Sequence, residues 1–269
     1  MKHMRLTASA LIALAGISSV AFGDGRITMS DATGFYNGTD GQGGAFTATA
    51  PSSNAGYNGL YGGNLRSGDG RGTSSNSFLT FCIEYNEHIG FGTTYYTQIA
   101  TSASNGGVGG GHPDPISGAT AAVYREFRRA GTNTVLFGGA RLFGSGTANY
   151  NFSSNNSGGG FNTSEETSAI QHAIWSLEGE ITLDANNRVD QLAQLIVNWG
   201  MANDHGYQGV RVMRLWTNRS GSNGNYTYSG FAQDQLTLVP LPPASLAGLG
   251  MLAGVASFGV IRRRKLNAR

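Results

Sequence analysis

The chain has 269 residues, enough for one or two domains with a sizeable core. Charged residues are only 13% and glycine fills 42 positions, a composition that favours strands and polar loops over helical packing. The net charge of +2 comes from the two ends: the body from Asp24 to Ile261 carries eleven arginines against sixteen acids, a net of −5, which argues against nucleic acid as a partner.

The N-terminus, 1–23, reads as a secretory signal peptide. Lys2 and Arg5 precede an apolar run from Leu6 to Val20, and Ala21-Phe22-Gly23 is a small-x-small cleavage site. Residues 24 to 75 read as short strands and turns: Arg26 to Met29, Phe35-Tyr36, Ala45 to Thr49 and Tyr57 to Tyr61. Ser77 to Tyr85 (SFLTFCIEY) is the best strand in the chain. Alternation puts Leu79, Phe81, Ile83 and Tyr85 on a core face, with Phe78, Thr80, Cys82 and Glu84 on the other. Gly92 to Ala100 is its expected hairpin partner, followed by a glycine-rich loop to Gly111.

Ile116 to Ala130 predicts a helix capped by Ser117 and stopped by Gly131. Thr134 to Phe137 reads as a short strand, and Ser153 to Gly160 as a loop. A second helix starts at Thr163, where Thr163 and Glu166 have capping-box spacing. Ile170, Ala173, Ile174 and Leu177 form its apolar stripe, Gln171 and Trp175 share a side, and Gly179 ends it. A third helix runs from about Arg188 to Trp199 with Leu192, Leu195, Ile196 and Trp199 as its stripe. Gly209 to Thr217 and Gln235 to Val239 read as closing strands. The expectation is a single strand-rich α+β domain over 24–238, with about three helices.

At the C-terminus, 239–269, Val239-Pro240-Leu241-Pro242-Pro243 precedes an apolar run from Ala244 to Ile261, then Arg262-Arg263-Arg264-Lys265. The run is about long enough to span a bilayer, with its basic end on the cytoplasmic side. This arrangement resembles the PEP-CTERM sorting signals of bacteria, with Val-Pro-Leu-Pro-Pro in place of the usual Pro-Glu-Pro. The resemblance implies an exported protein held in the inner membrane before processing by an exosortase-type enzyme, and a cell-surface or extracellular-matrix destination.

Cys82 is the sole cysteine, so an exported form has no internal disulfide. A cysteine thiol and a glutamine carboxamide, held together and kept dry, can condense with loss of ammonia. Phe81-Cys82-Ile83-Glu84 is similar to the aromatic-Cys-aliphatic-acid motif of bacterial surface thioester domains, and Ile170-Gln171-His172-Ala173-Ile174-Trp175 to their Gln-x-Ala-aliphatic-Trp motif. That resemblance implies a Cys82–Gln171 thioester supported by Phe81, Glu84 and Trp175, opened by a nucleophile on a surface target. Ile170 departs from it, since threonine often precedes the glutamine. Both lysines of the chain lie in its ends, leaving the body without an amine side chain to attack such a bond.

Two readings stay open: a covalent adhesin with an amine-bearing target, and a non-covalent surface or matrix protein, polysaccharide-associated, whose cysteine is inert. A secreted hydrolase has the least support. Glu178 and Glu180 are a carboxylate pair at a helix end, where solvated charge is the expectation. His88, His112, His172 and His205 have no metal-ligand spacing, so no metal or cofactor is expected.

Overall fold

The computed structural model describes residues 25–36, 43–50, 77–129, 135–137, 140–142, 163–222 and 225–239. The expectations for 1–23, Tyr57 to Tyr61, Gly131, Ser153 to Gly160 and the tail from Pro240 onward lie outside them. So does the side chain of Thr163 with its capping box.

Runs rich in β-branched and aromatic residues form most of the strands. In chain order the elements are β1 Gly25–Tyr36, β2 Gly44–Thr49, β3 Ser77–Thr80, β4 Thr94–Ala100, β5 Ser102–Ala103, β6 Asp114–Pro115 and α1 Gly118–Arg129. Then come β7 Val135–Phe137, β8 Ala140–Leu142, α2 Thr163–Leu177, α3 Arg188–Ala202, β9 Val210–Ser222 and β10 Asn225–Leu238. This is the expected strand-rich α+β architecture, with three helices among the described residues.

Six strands form one antiparallel sheet in the order β10-β9-β4-β1-β2-β3. Its two edges meet. The Ile83 N–H donates to Asp234 O at 3.1 Å, the Leu236 N–H donates to Phe81 O at 2.9 Å, and Cys82 bridges Gln235. The segment after β3 thus closes the sheet on itself.

The expected pairing of Ser77–Tyr85 with Gly92–Ala100 is corrected. β4 pairs with β1 and β9, while β3 pairs with β2. Period-two alternation reports faces, not neighbours. The faces are as expected up to Ile83. Leu79, Phe81 and Ile83 join the larger apolar cluster with the helices. Phe78 and Cys82 join a second cluster with Ile27, Met29, Tyr95, Met213 and Leu215. Both faces are buried, including Thr80 and Glu84. Tyr85 is not a core residue: it is 45% exposed, with its ring edge-on to Trp175 at 5.0 Å.

The helices pack on the first cluster. Phe81 meets Phe127 at a ring distance of 4.9 Å. Ser117 Oγ accepts the Thr120 N–H and so caps α1, as expected. α2 ends where glycine allows it, Gly179 having φ +79. α3 is capped by Asn187, whose Oδ1 accepts from the Val189 and Asp190 N–H groups. Leu192 and Ile196 are buried, but Leu195 is 39% exposed and lies off the stripe.

Candidate thioester site

The structure brings Cys82 and Gln171 together. Cys82 Sγ and the Cys82 N–H both lie 3.2 Å from Gln171 Oε1, and Gln171 Nε2 donates to Cys82 O at 2.8 Å. Cys82 is 1% exposed and Gln171 fully buried.

Sheet register explains why a side chain reaches a strand backbone here. β2 and β3 pair Phe46 with Thr80. Two residues further, the same register would set Gly44 against Cys82, but β2 begins at Gly44 and the chain turns away at Gly43 (φ +65). The Gln171 carboxamide fills the vacated place. It offers one acceptor and one donor, as a peptide unit would, and satisfies both backbone groups of Cys82.

Gly43 itself closes the pocket. A Cβ there would sit 2.7 Å from Gln171 Cγ and 2.7 Å from the Trp175 ring. Gly43→Ala is therefore expected to lower the unfolding midpoint, by the cost of a non-glycine residue at this φ (about 1–2 kcal/mol) and by displacing Gln171. A shift in denaturant midpoint, with faster thiol labelling of Cys82, checks this; unchanged values of both would refute it.

The supporting residues divide. Trp175 shares the Cys82 cluster, whereas Phe81 faces the opposite way, into the helices. Phe78 and Tyr95 belong to the same buried cluster as Cys82. Burial holds the Cys82 thiol well above its ordinary value, the charge of Glu84 adds to this, and the Trp175 indole N–H opposes it. The sulfur therefore rests as a thiol.

Glu84 is fully buried, and no donor reaches either oxygen. Desolvation, then the neighbouring Asp234 and Glu87 charges, push its carboxyl up to about 10. A proton kept there can be donated to Glu87, a contact that tempers the rise of Glu87. Asp234 is raised to about 7 by burial, against the N–H groups of Ser104 and Leu215 that it accepts. Asp234, Glu87 and Gly43 carry no sequence signal that singles them out; only the fold brings them to Cys82.

Glu178 and Glu180 are not solvated charges. Glu180 is 5% exposed and accepts the N–H groups of Tyr85, Val108 and Gly109. Glu178 accepts from the backbone and hydroxyl of Ser117 at the start of α1. Both are occupied as backbone acceptors. His172 turns to α3 and bonds Asp190. Burial would raise Asp190, but that bond and the Asp184 N–H outweigh it and hold the carboxyl low. Among the described residues no group of His, Cys, Asp and Glu is arranged to hold a metal.

The arrangement suits acyl transfer. Cys82 Sγ can attack the Gln171 carbonyl carbon, one bond from the oxygen it already meets. The Cys82 N–H points at that oxygen and can stabilise the charge it gains in a tetrahedral intermediate. No protein family, curated protein or solved structure matches this chain.

Proposed function

We propose that the protein is an exported bacterial surface protein whose domain acts as a covalent binding module through a Cys82–Gln171 thioester. The observation that carries the reading is the buried contact between the Cys82 thiol and the Gln171 carboxamide. In the formation step an S–C bond forms as the C–N bond breaks, and the thiol proton leaves with the amide nitrogen as ammonia. No oxidant or outside proton is needed. A target amine then reverses the logic: N–C forms, C–S breaks, and the amine proton returns to sulfur. The lysine-free body supports this, since arginine stays protonated and is a poor nucleophile. Export, exosortase processing and anchoring through Ala244 to Ile261 rest on the sequence of the two ends.

A second reading is favoured by the same carboxamide. Its two hydrogen bonds to the Cys82 backbone hold α2 to the sheet without any bond being made. On this reading the protein is a non-covalent surface or matrix protein, polysaccharide-associated, with an inert cysteine.

Intact mass of the purified protein beside Cys82→Ala separates the two. A thioester leaves the wild type lighter than its sequence by one ammonia and able to take up methylamine, and the variant does neither. A mass equal to the sequence, with one free thiol on denaturation, rejects the covalent reading and leaves the clamp.

A further inference from the structure

A two-stranded ribbon stands out from the sheet. β9 pairs with β4 only as far as Trp216, which lies opposite Tyr96; beyond it, the strand pairs with β10 alone. Residues 217–222 and 225–231 are exposed, except Arg219, Tyr226 and Tyr228, which are partly covered. We infer that this ribbon, with the adjoining outer face of β1 and β4, is a docking surface for an acidic polysaccharide, its arginines on uronate carboxylates and Phe231 against a sugar ring.

Charge picks out the class of partner. From Gly206 to Gln233 the sequence holds three arginines and no acid, inside a body whose net charge is −5. The outward positions beside the ribbon, Arg26 and Thr28 on β1 with their partners Tyr96 and Thr94 on β4, add no carboxylate. A basic strip on an acidic domain favours an anion at that strip. Arg26 lies 4.8 Å over the Tyr96 ring, and its Nη2 donates to Tyr96 Oη at 2.8 Å. Arg26 is exposed and, among the described residues, forms no ion pair. Arg219 lies over the same ring at 4.7 Å and over Tyr226 at 4.2 Å. Aromatic faces thus hold two guanidinium groups on one side of the sheet. A guanidinium held in this way binds a carboxylate through paired N–H groups.

The rings decide between polyanions. A single-stranded nucleic acid needs open ring faces on which successive bases stack. Here Tyr96 and Tyr226 carry guanidinium groups, and Trp216 packs against Tyr228 at 5.8 Å and Phe231 at 6.2 Å. Phe231, 44% exposed, is left as an apolar face for the C–H side of a sugar ring. Asn218, Ser220, Thr227 and Ser229 are exposed on the same ribbon and offer amide and hydroxyl partners to sugar hydroxyls. A lipid surface fits less well. β10 runs 14 residues, roughly 45 Å, from the ribbon tip back to Leu238, so the tip stands far from the point where the C-terminal tail leaves the domain.

The surface stands apart from Cys82 and Gln171, so it is tested in a Cys82→Ala background as well as in the wild-type chain. Calorimetric titration of the full-length protein in detergent uses four probes: a galacturonate tetramer, a mannuronate tetramer, the methyl ester of the first and a thymidine tetranucleotide. At least one uronate tetramer is expected to bind in both backgrounds, and more weakly as salt is raised. Arg26→Gln and Arg219→Gln are each expected to weaken it by on the order of tenfold, with the melting temperature of Arg26→Gln, at an exposed position, unchanged. Phe231→Ala is expected to weaken it severalfold. Absence of binding by both uronate tetramers overturns the proposal, as does binding that neither arginine variant changes. Equal binding of the methyl ester removes the carboxylate from the argument, equal or tighter binding of the tetranucleotide removes the sugar, and either overturns it.

Discussion

Gln171→Ala is expected to destabilise the domain by about 2–6 kcal/mol, because it strands two buried backbone groups that each cost about 1–3 kcal/mol when unsatisfied. The Cys82 N–H and C=O lose their side-chain partner together. Gly44 cannot replace it, since the chain leaves the sheet at Gly43. Cys82 is 1% exposed, so bulk solvent does not take the carboxamide's place in the intact fold. Cys82→Ala keeps the backbone and both of those bonds, so its cost is that of a small apolar truncation. Denaturant unfolding of the two variants decides the matter. If Gln171→Ala is no more costly than Cys82→Ala, the carboxamide is not standing in for a strand.

The second large effect is on pH. Glu84, raised to about 10, and Asp234, raised to about 7, keep protons that the unfolded chain releases near its ordinary carboxylate values. A group raised on folding contributes stability that is present below the unfolded value and lost as pH climbs toward the folded one. Stability therefore falls from about pH 4.5, by about 1.4 kcal/mol per pH unit for each group. Both groups act up to about pH 7, and Glu84 continues to act from there toward 10. Glu87, Glu178 and Cys82 are raised as well and act in the same sense. Asp190 is lowered, so its contribution is lost only at more acid pH and leaves this window alone. Melting temperatures are expected to be highest in mild acid and to decline through neutrality. Glu84→Gln should flatten the decline above pH 7. A wild-type melting temperature that is level or rising between pH 7 and 9 contradicts this account.

What could be read from sequence follows a physical division. α2 and α3 were legible because their stripes and the Gly179 stop are local features, and local features survive folding. The two faces of Ser77–Ile83 were legible for the same reason. Strand partners were not: nothing in Thr94–Ala100 says that β1 and β9 are its neighbours. Nor was the fate of Glu178 and Glu180, because what buries them is backbone N–H from loops far along the chain. Cys82 and Gln171 were paired by their resemblance to a known pair of motifs. Gly43, which makes room for the carboxamide beside Trp175, needed the fold.

The closure of the sheet at Cys82 also sets an order of events. Both closing backbone hydrogen bonds need Asp234 or Leu236, in the strand that follows every other described element. The contact joins residues separated by more than half the chain, a long loop to close and a slow one. A chain still emerging from the ribosome cannot supply β10, so its thiol stays open to solvent and its carboxamide has no ordered partner. Any chemistry at Cys82 thereby waits for the last strand, and a truncated or stalled chain carries an ordinary, unactivated cysteine.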